Sequence, residues 1–288
     1  MELALHIESI DQTEHMDSIA DHLMHHCGLG VAGVKRLPAV NRIYIGDEFC
    51  PIRLPSEKAL IRFCEFTQAN KLDLTLLTPV LTDIWLDRCK FIFDILAGYD
   101  SKAEVVVNDF GTLHFLRRIY PLFRLSLGRL FNKGFKDPRL CMGQVSLTDQ
   151  IRVLLSESTF DHPEFSSFLK EIKISRVERD LLPHAAYMPS ETVDHDVSYY
   201  FPFGYVTTGR VCWTASLANN AIRDYKPLYQ CSKPCRSESF ELFNDATQTC
   251  IYQFGNTIFY KYSSIMIDTL VERADQCNDR LIYQGVLQ

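Results

Sequence analysis

No stretch of this 288-residue chain is apolar for long enough to span a bilayer. Its first residues, Met1-Glu2-Leu3-Ala4-Leu5-His6, lack the basic segment and apolar core of a secretory signal. A transmembrane protein is therefore not expected, and the expected compartment is cytoplasmic. Basic charge is also short: 30 Lys and Arg stand against 36 Asp and Glu, for a formal net charge of −6 and a pI of 5.9. A broad phosphate-binding surface needs clustered cations to displace counterions, so a small-molecule partner is favoured over RNA. The chain has no internal repeat and no low-complexity segment, which excludes a solenoid. It contains neither His-Glu-x-x-His nor Gly-x-Ser-x-Gly, so two common sequence signatures of hydrolases are absent.

Cysteine, in contrast, is plentiful. Ten cysteines in a chain without a readable export signal are expected to stay reduced, where paired thiols more often mean metal or redox chemistry than disulfides. The 47% hydrophobic content is enough to bury one large core.

Residues 1–40 carry a His-rich stretch, His15, His22, His25 and His26, with Ile19, Leu23 and Met24 at helical spacing. They read as an N-terminal helical extension. The spacing of His22, His25 and His26 would suit a metal, but the stretch lacks the intervening Glu of a zincin and reads as a surface helix. From Asn41 onward, short β-branched runs alternate with longer stretches of helical period, the pattern of βα units around a parallel sheet.

Strands are predicted at Arg42–Gly46, Asp73–Thr78, Ala103–Val107, Phe123–Leu127, Ser175–Asp180 and Val197–Phe201. Helices are predicted at Ser56–Asn70, Asp83–Ala97, Thr112–Tyr120 and Pro163–Ile172. Beyond Tyr205 the pattern turns irregular and Cys-rich, with strand-like runs at Phe240–Phe243, Cys250–Phe254 and Thr257–Tyr260, then a helix at Ile265–Ala274 and a short terminal strand. The expected fold is α/β: a TIM-like (β/α) barrel over residues 41–288, complete or incomplete, with an irregular Cys-rich C-terminal part.

Cys231-Ser-Lys-Pro-Cys235 places two thiols around Pro234, which disfavours a plain helix and leaves a loop able to fold around a metal. Cys212 lies upstream with 18 residues between it and Cys231. Cys50 falls just past a predicted strand, at the end of a barrel where chemistry is usually held. Four thiolates suit either an iron–sulfur cluster or tetrahedral zinc, and ordinary burial is the alternative to both. Cys27, Cys64, Cys89, Cys141 and Cys277 read as core residues, with Cys250 a reserve ligand.

The run Tyr44-Ile45-Gly46-Asp47-Glu48-Phe49-Cys50 is similar to the Tyr-Leu-Gly-Glu-x-x-Cys motif of the ubiquinone-biosynthesis V branch of the collagenase-like peptidase family U32. Asn108-Asp109-Phe110-Gly111 resembles that family's Asp-x-Gly turn. Gly209-Arg210-Val211-Cys212 resembles its Gly-Arg-Cys element, with Val211 inserted, and Cys231 and Cys235 resemble its paired cysteines. The likeness spans roughly residues 41–262 and is closest to the ubiquinone-biosynthesis V branch. Typical peptidases of the family carry a further cysteine where this chain reads Phe201-Pro202-Phe203-Gly204-Tyr205.

The resemblance implies a 4Fe-4S cluster on Cys50, Cys212, Cys231 and Cys235. It also implies a part in oxygen-independent hydroxylation, with prephenate as hydroxyl donor and a U-type sister subunit as heterodimer partner. The other readings are a binding or assembly subunit with a structural cluster, and a peptidase. Asp109, after an apolar strand, and Arg210, beside Cys212, are the candidate catalytic residues; helix capping is the alternative for Asp109. Arg176, Glu178 and Arg179 alternate in a strand, where one of them could face inward and take an anion, although a solvated or ion-paired surface is the favoured reading.

Overall fold

The computed structural model describes residues 1–142, 148–183, 195–218, 227, 230–246 and 248–284. In chain order its strands are β1 (Glu2–His6), β2 (Val40–Gly46), β3 (Asp73–Leu77), β4 (Glu104–Val107), β5 (Arg124–Leu127), β6 (Arg176–Arg179), β7 (Asp196–Phe201), β8 (Phe203–Thr208), β9 (Phe240–Asn244), β10 (Thr249–Phe254), β11 (Thr257–Lys261) and β12 (Arg280–Gln284). The helices are α1 (Ile19–Cys27), α2 (Val31–Val34), α3 (Glu57–Asn70), α4 (Asp83–Tyr99), α5 (Phe110–Ile119), α6 (Asp149–Ser156), α7 (Pro163–Glu171), α8 (Trp213–Ala218) and α9 (Ser264–Cys277). Among the described residues, no helix is long and apolar enough to cross a membrane.

Eight parallel strands close a barrel in the order β1-β12-β7-β6-β5-β4-β3-β2. The α/β barrel expected from the sequence is therefore present, and it is complete. Strand alternation sorts its side chains. Ala4, Tyr44, Leu77, Val106, Tyr200 and Ile282 meet inside the barrel, while neighbours such as Ile43, Ile45, Val105 and Val107 face outward into the larger core under the helices.

One boundary is corrected. Residues 1–40 are not an extension, because Glu2–His6 pairs in parallel with both β12 and β2 and closes the barrel. The expected helix of this region is α1, outside that strand, where His22 lies 5.8 Å from the Tyr283 ring and His25 is exposed. The side chains of His15 and His26 lie outside those described.

At the N-terminal end of the barrel the interior is ionic. Arg42 and Arg280 share Glu2, at 2.6 and 2.5 Å, and Arg280 also reaches Glu104 at 2.5 Å and the Tyr44 hydroxyl at 2.6 Å. Burial works against ionisation of Glu104, yet Arg280 and Arg42 hold its pKa below the ordinary carboxylate value. This end of the barrel is a closed plug of paired charge.

Strands β8 to β11 form a separate antiparallel sheet, ordered β8-β11-β10-β9, inserted between β7 and the last crossover helix, α9. Phe203, Tyr205, Phe254 and Phe259 cluster with Leu130 from the loop after β5, and Phe49 from the loop after β2 packs on them. This packing seats the sheet over the C-terminal mouth of the barrel. Cys27, Cys64 and Cys89 are core residues as expected, whereas Cys277 is exposed because it lies on the outer side of the last turn of α9. The side chain of Cys141 lies outside those described.

Candidate metal centre

The mouth is organised by the turn after β2. Gly46 has φ +94°, and a Cβ there would lie 2.4 Å from the Leu77 carbonyl oxygen, so only glycine permits the turn. Asp47 then fixes the following segment: its Oδ1 accepts the N–H of Phe49 (2.7 Å) and of Cys50 (2.6 Å), and its Oδ2 pairs with Arg53 at 2.8 Å. Arg53 also pairs with Glu8, and its guanidinium lies 4.5 Å from the Phe254 ring. Neighbouring Glu48 turns into the barrel instead and meets Arg129 at 2.8 Å.

Arg129 is wholly buried. It reaches Asp180 at 2.7 Å, Asp180 takes Lys136 at 2.8 Å, and the Arg129 guanidinium lies 3.8 Å from the Tyr200 ring. Burial pulls Lys136 down to about 8 although Asp180 opposes the shift. The group joins loops after β2, β5 and β6 into one floor beneath the thiols.

Cys212 precedes α8 and accepts the Ala215 N–H on its sulfur at 3.4 Å. Cys231 accepts the Lys233 N–H at 3.3 Å. Lys233 takes a left-handed φ of 61°, and Pro234 opens a single 3-10 turn that delivers Cys235 to a buried position. Asn256, in the β10–β11 turn, donates to the carbonyls of Phe49 (2.8 Å) and Gly209 (2.6 Å) and so ties the Cys50 and Cys212 segments together.

Cys50, Cys212, Cys231 and Cys235 line one cavity of about 280 Å³. Burial pushes the Cys50 thiol up to about 12 and Cys235 up to about 11, and it raises Cys212 as well, with neighbouring thiols adding to the shift in each case. Thiols so placed stay protonated unless a cation replaces the protons. Among the described residues, no three Cys, His, Asp or Glu side chains converge as ligands of one ion would. A cubic cluster needs no such convergence, because each thiolate binds a different iron. The donor set, the amides directed at sulfur and the cationic Arg53 in the wall fit a 4Fe-4S cluster. Cys250, the reserve ligand, does not line this cavity; its thiol donates to Glu241 at 3.1 Å.

Arg210 is exposed at the cavity rim. Asp109 takes the capping position, its alternative reading, and does not line the cavity: it caps α5, accepting from Thr112 N–H and Oγ1, both at 2.7 Å, and from Leu81 N–H at 3.1 Å. Both carboxylate oxygens are spent on backbone and cap. Asp109→Ala should therefore cost ~1 kcal/mol of stability and leave metal content unchanged, as thermal melts with iron analysis would record.

On β6, Arg176 joins Asp196 at the closed end, Glu178 points into the barrel, and Arg179 faces outward to Asp161. None of the three lines the cavity. Sequence reasoning missed Asp47, Arg53, Arg129 and Asn256. Only Asp47 carried a local signal, its place in the run leading to Cys50.

A solved U32 peptidase is similar to this chain. That structure, the U32 peptidase Mk0906, has a TM-score of 0.43 at 10% identity, with 99% of this chain and 92% of that chain covered. A glycoside hydrolase family 18 N-acetylglucosaminidase from Paenibacillus barengoltzii gives 0.27 at 9% identity, covering 100% and 96%. The first is from the family that the cysteine motifs resemble, and nothing in it singles out the ubiquinone-biosynthesis branch. At these scores neither likeness bears on activity; the barrel is read from its own strands. No family model matches the sequence, and no curated protein matches it.

Proposed function

We propose that the four thiols at the barrel mouth hold a 4Fe-4S cluster and that the chain is one subunit of an oxygen-independent hydroxylase acting on a small molecule. The observation that carries the cluster reading is the meeting of Cys50, Cys212, Cys231 and Cys235, from three separate segments, around one cavity. Such a cluster, with a thiolate on each iron, would supply one-electron chemistry.

The chain's own residues have definable tasks in this reading. Asp47 holds the Cys50 backbone, Arg53 offsets thiolate charge, and the Ala215 and Lys233 amides stabilise sulfur. Val80, Trp85 and Ile52 give the cavity an apolar wall, while Arg210 stands at its rim to receive an anionic group. That combination suits a carboxylated ring compound, and prephenate as hydroxyl donor is of this class. The U-type partner belongs to the same proposal.

Hydrolysis has less support, because among the described residues no histidine lines the cavity to activate a thiol. Single Cys→Ser variants test the ligand set. Each of the four should lose most of the iron bound anaerobically, whereas Cys64→Ala and Cys89→Ala should retain it. Full iron in the Cys50→Ser variant would remove Cys50 from the set. Anaerobic incubation with prephenate, a ubiquinone precursor and the partner subunit then tests the reaction.

A further inference from the structure

On the far side of Arg53 lies a second, polar cavity of about 520 Å³, between the loop after β1, the start of α3 and the turn that carries Cys235. Three cations border it: Arg53, Lys233 and Arg236. Arg53 is only 8% exposed, and its Nε has no hydrogen-bond partner. The fourteen-residue helix α3 opens at the same wall, with Ser56 and Ala59 lining the cavity. Ser56 takes the Ala59 N–H at 3.4 Å. The helix dipole makes this end of α3 electropositive.

Glu8 indicates what this place accepts. Its carboxylate is largely buried at the cavity wall, paired with Arg53 and at 2.9 Å with Arg236. Two carboxylates, Glu8 and the Asp47 that also holds Arg53, stand against three cations and a helix N-terminus, which leaves an excess of positive charge and the Arg53 Nε as an unused donor. Phe63 and Leu54 add an apolar side, so there is room for more than an inorganic ion.

We propose that this cavity binds a small organic oxyanion, a carboxylate or phosphate ester on a compact apolar body, held by Arg236, Lys233 and the unpaired Nε of Arg53 beside the electropositive start of α3. The site is separate from the thiol cavity and does not depend on the cluster, although Arg53 and Lys233 wall both.

The test is calorimetric titration of the protein as purified with inorganic phosphate and with succinate, at matched ionic strength in chloride. Saturable binding of either is expected; phosphate alone points to a phosphate ester, succinate alone to a carboxylate. Glu8→Gln removes the internal competitor and should tighten binding ~10-fold, whereas Arg236→Gln should weaken it ~10-fold, each the equivalent of one charge-assisted hydrogen bond. No gain in affinity in Glu8→Gln would overturn the proposal, because Glu8 would then not occupy the ligand's place. No saturable binding to wild type and Glu8→Gln, or an unchanged affinity in Arg236→Gln, overturns the proposal. Iron measured on the same samples reports separately on the cluster, so its absence would leave this site standing.

Discussion

Arg129→Met should destabilise the protein by about 3 to 5 kcal/mol, which for a chain of this size lowers the melting temperature by on the order of 10 °C. The reason is the company that Arg129 keeps. Glu48 and Asp180 are almost wholly buried, and each relies on the guanidinium at 2.8 and 2.7 Å. Removing it leaves Glu48 without a counter-charge and Asp180 with Lys136 alone. The desolvation cost of these carboxylates is then no longer offset. Adding Glu48→Gln to Arg129→Met should restore part of the loss, because a neutral amide buries more readily than an unpaired anion, while Asp180 keeps Lys136 as its counter-charge. A melt of Arg129→Met within ~1 kcal/mol of wild type would mean that the mouth is not held by this group. Iron binding should weaken with stability, since Glu48 lies in the segment that ends at Cys50.

Glu178→Gln should instead stabilise the protein, and increasingly so as pH rises. Glu178 is fully buried inside the barrel; one oxygen accepts the Tyr200 hydroxyl at 2.6 Å and the other has no partner. Burial raises its pKa to about 8, with the Glu48 carboxylate adding to the shift. A carboxyl raised in the folded state contributes stability that is complete below its unfolded value of about 4.5 and is lost as pH climbs through about 8. The folded protein must hold a proton there that the unfolded chain releases. The amide carries no such liability and has a similar shape. Melts between about pH 5 and 8 should therefore diverge, with the variant ahead by about 2 to 4 kcal/mol at the upper end. Parallel curves would show that Glu178 is ionised and accommodated in the native state.

The barrel was legible because its strands are buried on both faces and read as compact β-branched runs, such as Glu104–Val107, separated by capped helices. Two strands escaped. β1 is five residues at the very start, Glu2–His6, with only Leu3 and Leu5 as bulky apolar signal and partners far along the chain, at Val40–Gly46 and Arg280–Gln284. β8 follows Phe201-Pro202 directly, so that strands of two different sheets look like one aromatic run. The four cysteines could be grouped from motif resemblance, but spacing alone left burial, zinc and a cluster open.

The supporting charges were not readable. Arg53 meets Glu8 across 45 positions and Arg129 meets Glu48 across 81, and no local periodicity links such pairs. Asp109 carried two readings because a carboxylate just after a barrel strand stands where a cap and a catalytic group look the same in sequence, and the structure places it in the cap.

The central claim is that the four thiols at the mouth hold a cluster, and iron and acid-labile sulfide analysis of anaerobically purified protein, with visible and EPR spectra, tests it most directly. The account predicts about four iron and four sulfide per chain, with a visible charge-transfer band that disappears in the Cys231→Ala/Cys235→Ala variant. Stoichiometric zinc, or iron without sulfide, would contradict it.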